Sequence, residues 1–138
     1  MRDRFSWVLL MVALLPLACG QRAPGEEALR ESFVAQLAAN EFVRDVERNG
    51  NEITFVGPAA MGGGDGDWRI RIDSAVVEPN DDPAFPYRGT VKSSWYSHDA
   101  LISPAGNASN LPIELTGNGL AQDCWALWNA AAERWEWE

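Results

Sequence analysis

The sequence is short of the residues that carry most enzyme chemistry. Its 138 residues include two cysteines and one histidine. One imidazole and one spare thiol cannot supply a usual zinc ligand set, and no metal or cofactor is implied. A serine–histidine–acid triad would have to use His98, and the nearby Ser97 and Ser103 lack the glycine pattern of a nucleophile elbow. Beyond residue 18 no apolar run approaches the ~20 residues of a membrane-spanning helix. The stretch Gly62-Gly63-Gly64-Asp65-Gly66-Asp67 lacks the lysine and hydroxyl of a phosphate loop. Its carboxylates, even joined by Asp81 and Asp82, match neither an EF-hand nor a calcium-binding nonapeptide repeat, so a solvated loop is expected. No internal repeat is visible.

The first residues hold what the rest lacks. Arg2 and Arg4 precede an apolar run from Trp7 to Leu17, which ends in Ala18-Cys19-Gly20. A basic start, a short apolar segment and small residues at its end are the build of a secretory signal over 1–18. The stretch Leu15-Pro16-Leu17-Ala18-Cys19-Gly20 resembles the lipobox of bacterial lipoproteins, with Pro16 where that family usually has leucine. The resemblance implies that Cys19 becomes the lipidated first residue of the mature protein. Gly20 is not an aspartate, which by the same resemblance allows transport to the outer membrane, with the domain facing the periplasm. The alternative is plain secretion from Gln21. A lipidated cysteine carries more than one acyl chain, as stable anchoring requires when each buried methylene contributes only ~0.8 kcal/mol. Either route removes Cys19 as a disulfide partner and leaves Cys124 alone. Flanked by Trp125, Leu127 and Trp128, Cys124 reads as a small buried apolar side chain rather than a reactive thiol.

Without residues 1–18, which carry Arg2, Arg4 and Asp3, nine basic and nineteen acidic residues remain, a net charge of −10. That balance disfavours nucleic acid and anionic lipid surfaces and favours basic or cationic partners. The remaining length suits one domain over 26–138, joined to the anchor by a polar tether over 19–25.

From Glu26 to Ala39 the spacing of Leu29, Phe33, Val34, Leu37 and Ala38 predicts a helix, with Glu26, Glu27 and Glu31 at its positive end and Asn40 closing it. The period then falls to two. Asn49-Gly50 predicts a hairpin of Phe42–Arg48 with Asn51–Val56, setting Val46 opposite Ile53 and placing Phe42, Val46, Ile53 and Phe55 on one face. Arg44 interrupts that face, which requires either a sheet edge or a carboxylate partner. Trp68, Ile70 and Ile72 point inward between outward arginines. The run from Pro79 to Pro86 reads as a loop before a strand from Tyr87 to Ser97, and 98–110 as a long loop. Asn107-Ala108-Ser109 matches a glycosylation acceptor, which carries no weight behind a bacterial-type leader. Leu111 to Thr116 reads as a strand. Cys124–Trp128 and Trp135–Glu138 read as two tryptophan-rich strands, with a helix from Leu120 to Trp135 as the competing reading.

Seven tryptophans are many for this length, and six follow Cys19. Trp68, Trp95, Trp125 and Trp135 read as large core residues, against an aromatic groove for carbohydrate, peptide or an apolar ligand. In strands, Trp125, Trp128, Trp135 and Trp137 cannot all face inward, so one or two of them form the candidate contact surface. The expected fold is α+β, one N-terminal helix packed on an antiparallel sheet of about six or seven strands. The order of helix, hairpin and long strands is similar to cystatin-like and nuclear-transport-factor-like rolls, a resemblance that does not select a function. The leading expectation is an envelope lipoprotein with a non-catalytic domain that binds a protein or small ligand. Its rivals are a hydrolase-type enzyme using His98 with Asp99, and a purely structural envelope lipoprotein.

Cys19 is therefore expected to incorporate a fatty-acid analogue in growing cells, and Cys19→Ala to lose the label and to be released or mislocalised. Absence of label on the wild-type protein would reject the anchor.

Overall fold

The computed structural model describes residues 22–98, 100–103, 111–116, 120 and 124–138. The leader with Cys19, together with Asp99, Asn107 and Ser109, lies outside the described residues.

Helix α1 spans Glu26–Ala38 behind an uncapped Gly25, with Glu26 and Glu27 in its first turn, and buries Leu29, Phe33 and Leu37. Among the described residues seven strands follow in one antiparallel sheet: β1 Arg44–Asn49, β2 Glu52–Pro58, β3 Asp65–Asp82, β4 Phe85–Ser97, β5 Ala100–Ser103, β6 Cys124–Asn129 and β7 Arg134–Trp137. The order is β1-β2-β3-β4-β6-β7, with β5 paired to the far half of β4. The helix crosses one face of this curled sheet, touching β1, β3, β4 and β7. The α+β reading, the first helix and the C-terminal strands are all found; the helical reading of Leu120 to Trp135 is not, because Trp128 pairs with Trp135 across a hairpin.

Four local expectations are corrected. The first hairpin closes on Asn49 and Glu52, so Arg48, not Val46, lies opposite Ile53. Gly50, at φ 64, takes the first central position of the turn, where a positive φ is needed. A bulge between Arg44 and Glu47, with Asp45 at φ 56, restores the inward face to Val46. Phe42 precedes the strand and is 47% exposed. Next, β3 and β4 run through the expected Pro79–Pro86 loop to a tight turn at Pro83 and Ala84, which the Asp82 side chain stabilises by accepting the Ala84 N–H at 2.9 Å. The long loop after Ser97 gives way at once to β5. Lastly, Leu111 to Thr116 is no strand: Ile113–Thr116 form the short helix α2, started by Pro112 and seated by the buried Leu111 and Leu115.

The inward face holds an aromatic cluster. Phe55 stacks on Trp68 with ring centroids 6.2 Å apart, and Trp95 meets both rings edge-on. Each such pair contributes ~0.5–1.5 kcal/mol beyond its buried area. The indole donors are satisfied, Trp68 Nε1 by the Pro58 carbonyl at 2.9 Å and Trp95 Nε1 by Ser93 Oγ at 3.1 Å. At the other end of the helix, Leu29 sits directly over Gly89. A Cβ there would lie 2.6 Å from Leu29 Cδ1 and 3.1 Å from Trp135 Cζ3.

An alanine for glycine in a strand ordinarily stabilises by ~0.4–1 kcal/mol through the unfolded chain. Here the sign reverses: Gly89→Ala is expected to cost ~1–3 kcal/mol by overpacking, measured as a fall in denaturant midpoint. In the Leu29→Ala background the same change should cost much less, and strict additivity of the two would disprove the contact.

Candidate functional site

The face of the sheet away from α1 is the solvated one, and its residues come from alternate positions of β1 to β4. Thr54, Arg69 and Tyr96 stand in one cross-strand row by register, and Val56 and Asp67 in the next. These residues, with Asp45, Glu47 and His98, line a cleft of about 530 Å³. That is within the ~300–1,000 Å³ of small-molecule sites. Two of the cleft residues, Asp45 at φ 56 and His98 at φ 49, hold left-handed backbone that costs a non-glycine residue energy. One comes from the β1 bulge and the other from the turn that follows β4.

Electrostatics organise the floor. Arg69 lies over the Tyr96 ring with its guanidinium carbon 4.2 Å from the centroid, and donates to Glu52 at 3.2 Å. Arg71 flanks the same ring at 5.8 Å. Its pKa is raised, first by the hydrogen bond to Asp73 at 2.7 Å and then by that residue's charge. Asp73 also accepts from Ser94 Oγ at 2.5 Å, so guanidinium, carboxylate, hydroxyl and phenol ring form a connected surface. Arg44 answers the question its position posed twice over: it stands on the edge strand, and it pairs with Asp65, whose hydrogen bond raises its pKa.

The cleft brings together residues that sequence periodicity assigns only to a face. The alternation of Arg69 and Arg71 is visible in the sequence; their placement over Tyr96 depends on the pairing of Arg69 with Tyr96, which needs the β3–β4 register. His98 does line the cleft, exposed, beside Gly66 and Asp67. Among the described residues no hydrogen bond joins it to a serine or a carboxylate, and its expected partner Asp99 lies outside them. The glycine-rich loop closes through Ala59 N–H to the Gly64 carbonyl, and among the described residues no acidic, histidine or cysteine group is placed to hold a metal ion.

The four C-terminal tryptophans divide between the two faces. Trp135 is buried, edge-on to Trp128 at 5.4 Å. Trp137 leans on Phe33 at 5.7 Å, and its Nε1 donates to Ser32 Oγ at 3.0 Å. Trp125 alone points to the outer face, half-covered by Arg88 at 4.6 Å. Cys124 is a buried thiol, not half of a disulfide, whose Sγ donates to the Leu120 carbonyl. Comparison with protein families, with curated proteins and with solved structures finds no match for this chain.

Trp135→Ala is expected to lower stability by ~3–5 kcal/mol, offset in part because its buried Nε1 has no acceptor among the described residues. Trp125→Ala should cost under ~1 kcal/mol. Thermal melts that gave equal losses would contradict the division of faces.

Proposed function

We propose that the chain is a lipid-anchored envelope protein whose domain is a non-catalytic binding module, held to the membrane through Cys19 and presenting its solvated sheet face to a ligand. The leader supports the anchor. The cleft carries the binding half of the reading: it is concave, of ligand size, and walled by the Tyr96 ring with the Arg69 guanidinium over it, with hydroxyl and carboxylate groups from Thr54, Asp45, Glu47 and Asp67 along its lining. Residues tied this firmly to one another favour recognition over proton transfer. In this reading the helix and curled sheet form a roll of the cystatin-like or nuclear-transport-factor-like kind, and Trp125 extends the contact face beyond the cleft. The second reading, a hydrolase that uses His98, draws support from the place of His98 beside Asp67 in the same cleft.

A photo-cross-linking amino acid at Thr54, inside the cleft, is expected to give adducts in intact cells that the same group at Val76, on a distant part of the face, does not. Adducts from both sites alike, or from neither, would overturn the binding module. Ester or amide hydrolysis by the purified protein that disappears in His98→Ala would install the enzyme in its place.

A further inference from the structure

A second surface lies at one end of the molecule. Helix α1 begins beside the β1–β2 turn, where Glu27 holds Arg48 at 2.6 Å. It ends where Asn40 Nδ2 donates to the Glu114 carbonyl at 3.0 Å. At that far end the α1–β1 turn, the β2–β3 loop and α2 converge on Gly57, which lies within 3.5 Å of the Phe42 carbonyl and 3.3 Å of Leu115, counted from a Cβ position. Among the described residues five large apolar side chains are exposed, and three belong to this end: Phe42 at 47%, Met61 at 97% and Ile113 at 79%. Beside them runs a groove of about 380 Å³ lined by Pro58, Ala59, Ala60 and Pro112, with Glu114 at its rim.

We infer that this end docks a basic amphipathic helix of another envelope protein. Three observations select that occupant. The backbone along the groove is already engaged: the Pro58 carbonyl accepts Trp68 Nε1, Ala59 N–H donates to Gly64, and the Ala59 carbonyl accepts from Gly62. An added strand finds no partners there, whereas an apolar helical stripe needs none. Charge gives the second. Glu41 and Glu114 are exposed next to Phe42 and Ile113, and the neighbouring cation Arg44 is held by Asp65. The apolar end is thus bordered by carboxylates on a domain with eight basic and nineteen acidic residues over 26–138, which attracts lysine and arginine. The third is direction, and it alone rests on the anchored reading. The tether over 19–25 spans at most ~25 Å and joins the start of α1, while the apolar end lies a helix length, ~20 Å, further on. In that reading the start of α1 is the point of attachment and the apolar end lies away from it, open to a partner protein. Met61 suits it, as an unbranched side chain that adapts to a partner, on a loop whose Gly62, Gly63 and Gly64 all have positive φ.

The test uses the mature chain from Gln21, so that neither the apolar leader nor a lipid enters the assay. The probe is a fluorescent peptide of leucine and lysine at amphipathic helical spacing, read by anisotropy, with a leucine–glutamate peptide of the same pattern as its counterpart. The lysine peptide is expected to bind, and Met61→Ser with Ile113→Ser to weaken it by about tenfold. Both positions are exposed, so the double variant keeps its fold, which its unchanged melting curve verifies. Val76→Ser, an exposed apolar residue elsewhere, should leave binding unaltered. Equal affinity for wild type and double variant, or equal binding of the glutamate peptide, would overturn the proposal. So would co-sedimentation with phosphatidylglycerol vesicles that the double variant abolishes, since the surface would then be a membrane contact. Loss of lipid label from Cys19 would remove the anchor without altering this assay, so the two failures are distinguishable.

Discussion

The fold depends on how closely one helix approaches one strand. Leu29 is wholly buried against the bare backbone of Gly89, and any side chain there would push the helix outward. The seat determines more than one contact. With Leu29 down, Phe33 reaches the Trp137 ring and Leu37 stays buried near the far end of the sheet. The edge strand is secured from the same helix by Glu27 and Arg48, where the hydrogen bond from Arg48 lowers the Glu27 pKa. Glu27 is solvated and Arg48 only partly covered, so this pair guides β1 more than it stabilises it.

Covering one face leaves the other free for function, and the two faces are built by different physics. The inner face is aromatic and its polar atoms are mostly satisfied locally. The outer face holds its aromatics with cations: Tyr96 under Arg69 and Arg71, Trp125 under Arg88. An indole or phenol ring on a solvated sheet would otherwise be an exposed apolar patch; a guanidinium laid over it covers one side and keeps a charge in water. The same arrangement gives a surface that is ordered before anything binds, which lowers the entropy lost on association.

Much of this was legible in the residues. Helix α1 could be read from Leu29, Phe33 and Leu37, and the inward set of β3 and β4 from strict alternation. The failures have identifiable causes. The first turn is centred on Gly50 and Asn51 instead of Asn49 and Gly50, a shift of one residue that moves the partner of Ile53 by two, from Val46 to Arg48, and the β1 bulge beyond it is an added residue that periodicity cannot see. Pro79 and Pro86 suggested a loop, yet a long two-stranded ribbon tolerates proline where a ladder bond is not needed. In Leu111–Thr116 the four-residue spacing of Leu111 and Leu115 on either side of Pro112 was the helical signal, and six residues were too few for it to compete. The cleft was less legible than the fold, because it is a property of register across four strands and no single stretch contains it.

The hydrogen bond from Trp137 to Ser32 has a consequence for how the domain forms. It joins residues 105 apart, whereas β1 to β4 pair through consecutive hairpins. Closure entropy rises with the length of chain enclosed, so the hairpins can assemble early and the seam between helix and β7 must come late. Until then Phe33 lacks its aromatic neighbour and the Leu29 seat lacks the Trp135 wall. A chain that emerges from its N-terminal side would therefore pass through a stage with its most apolar surface uncovered. That interval is when such a domain has most need of a chaperone.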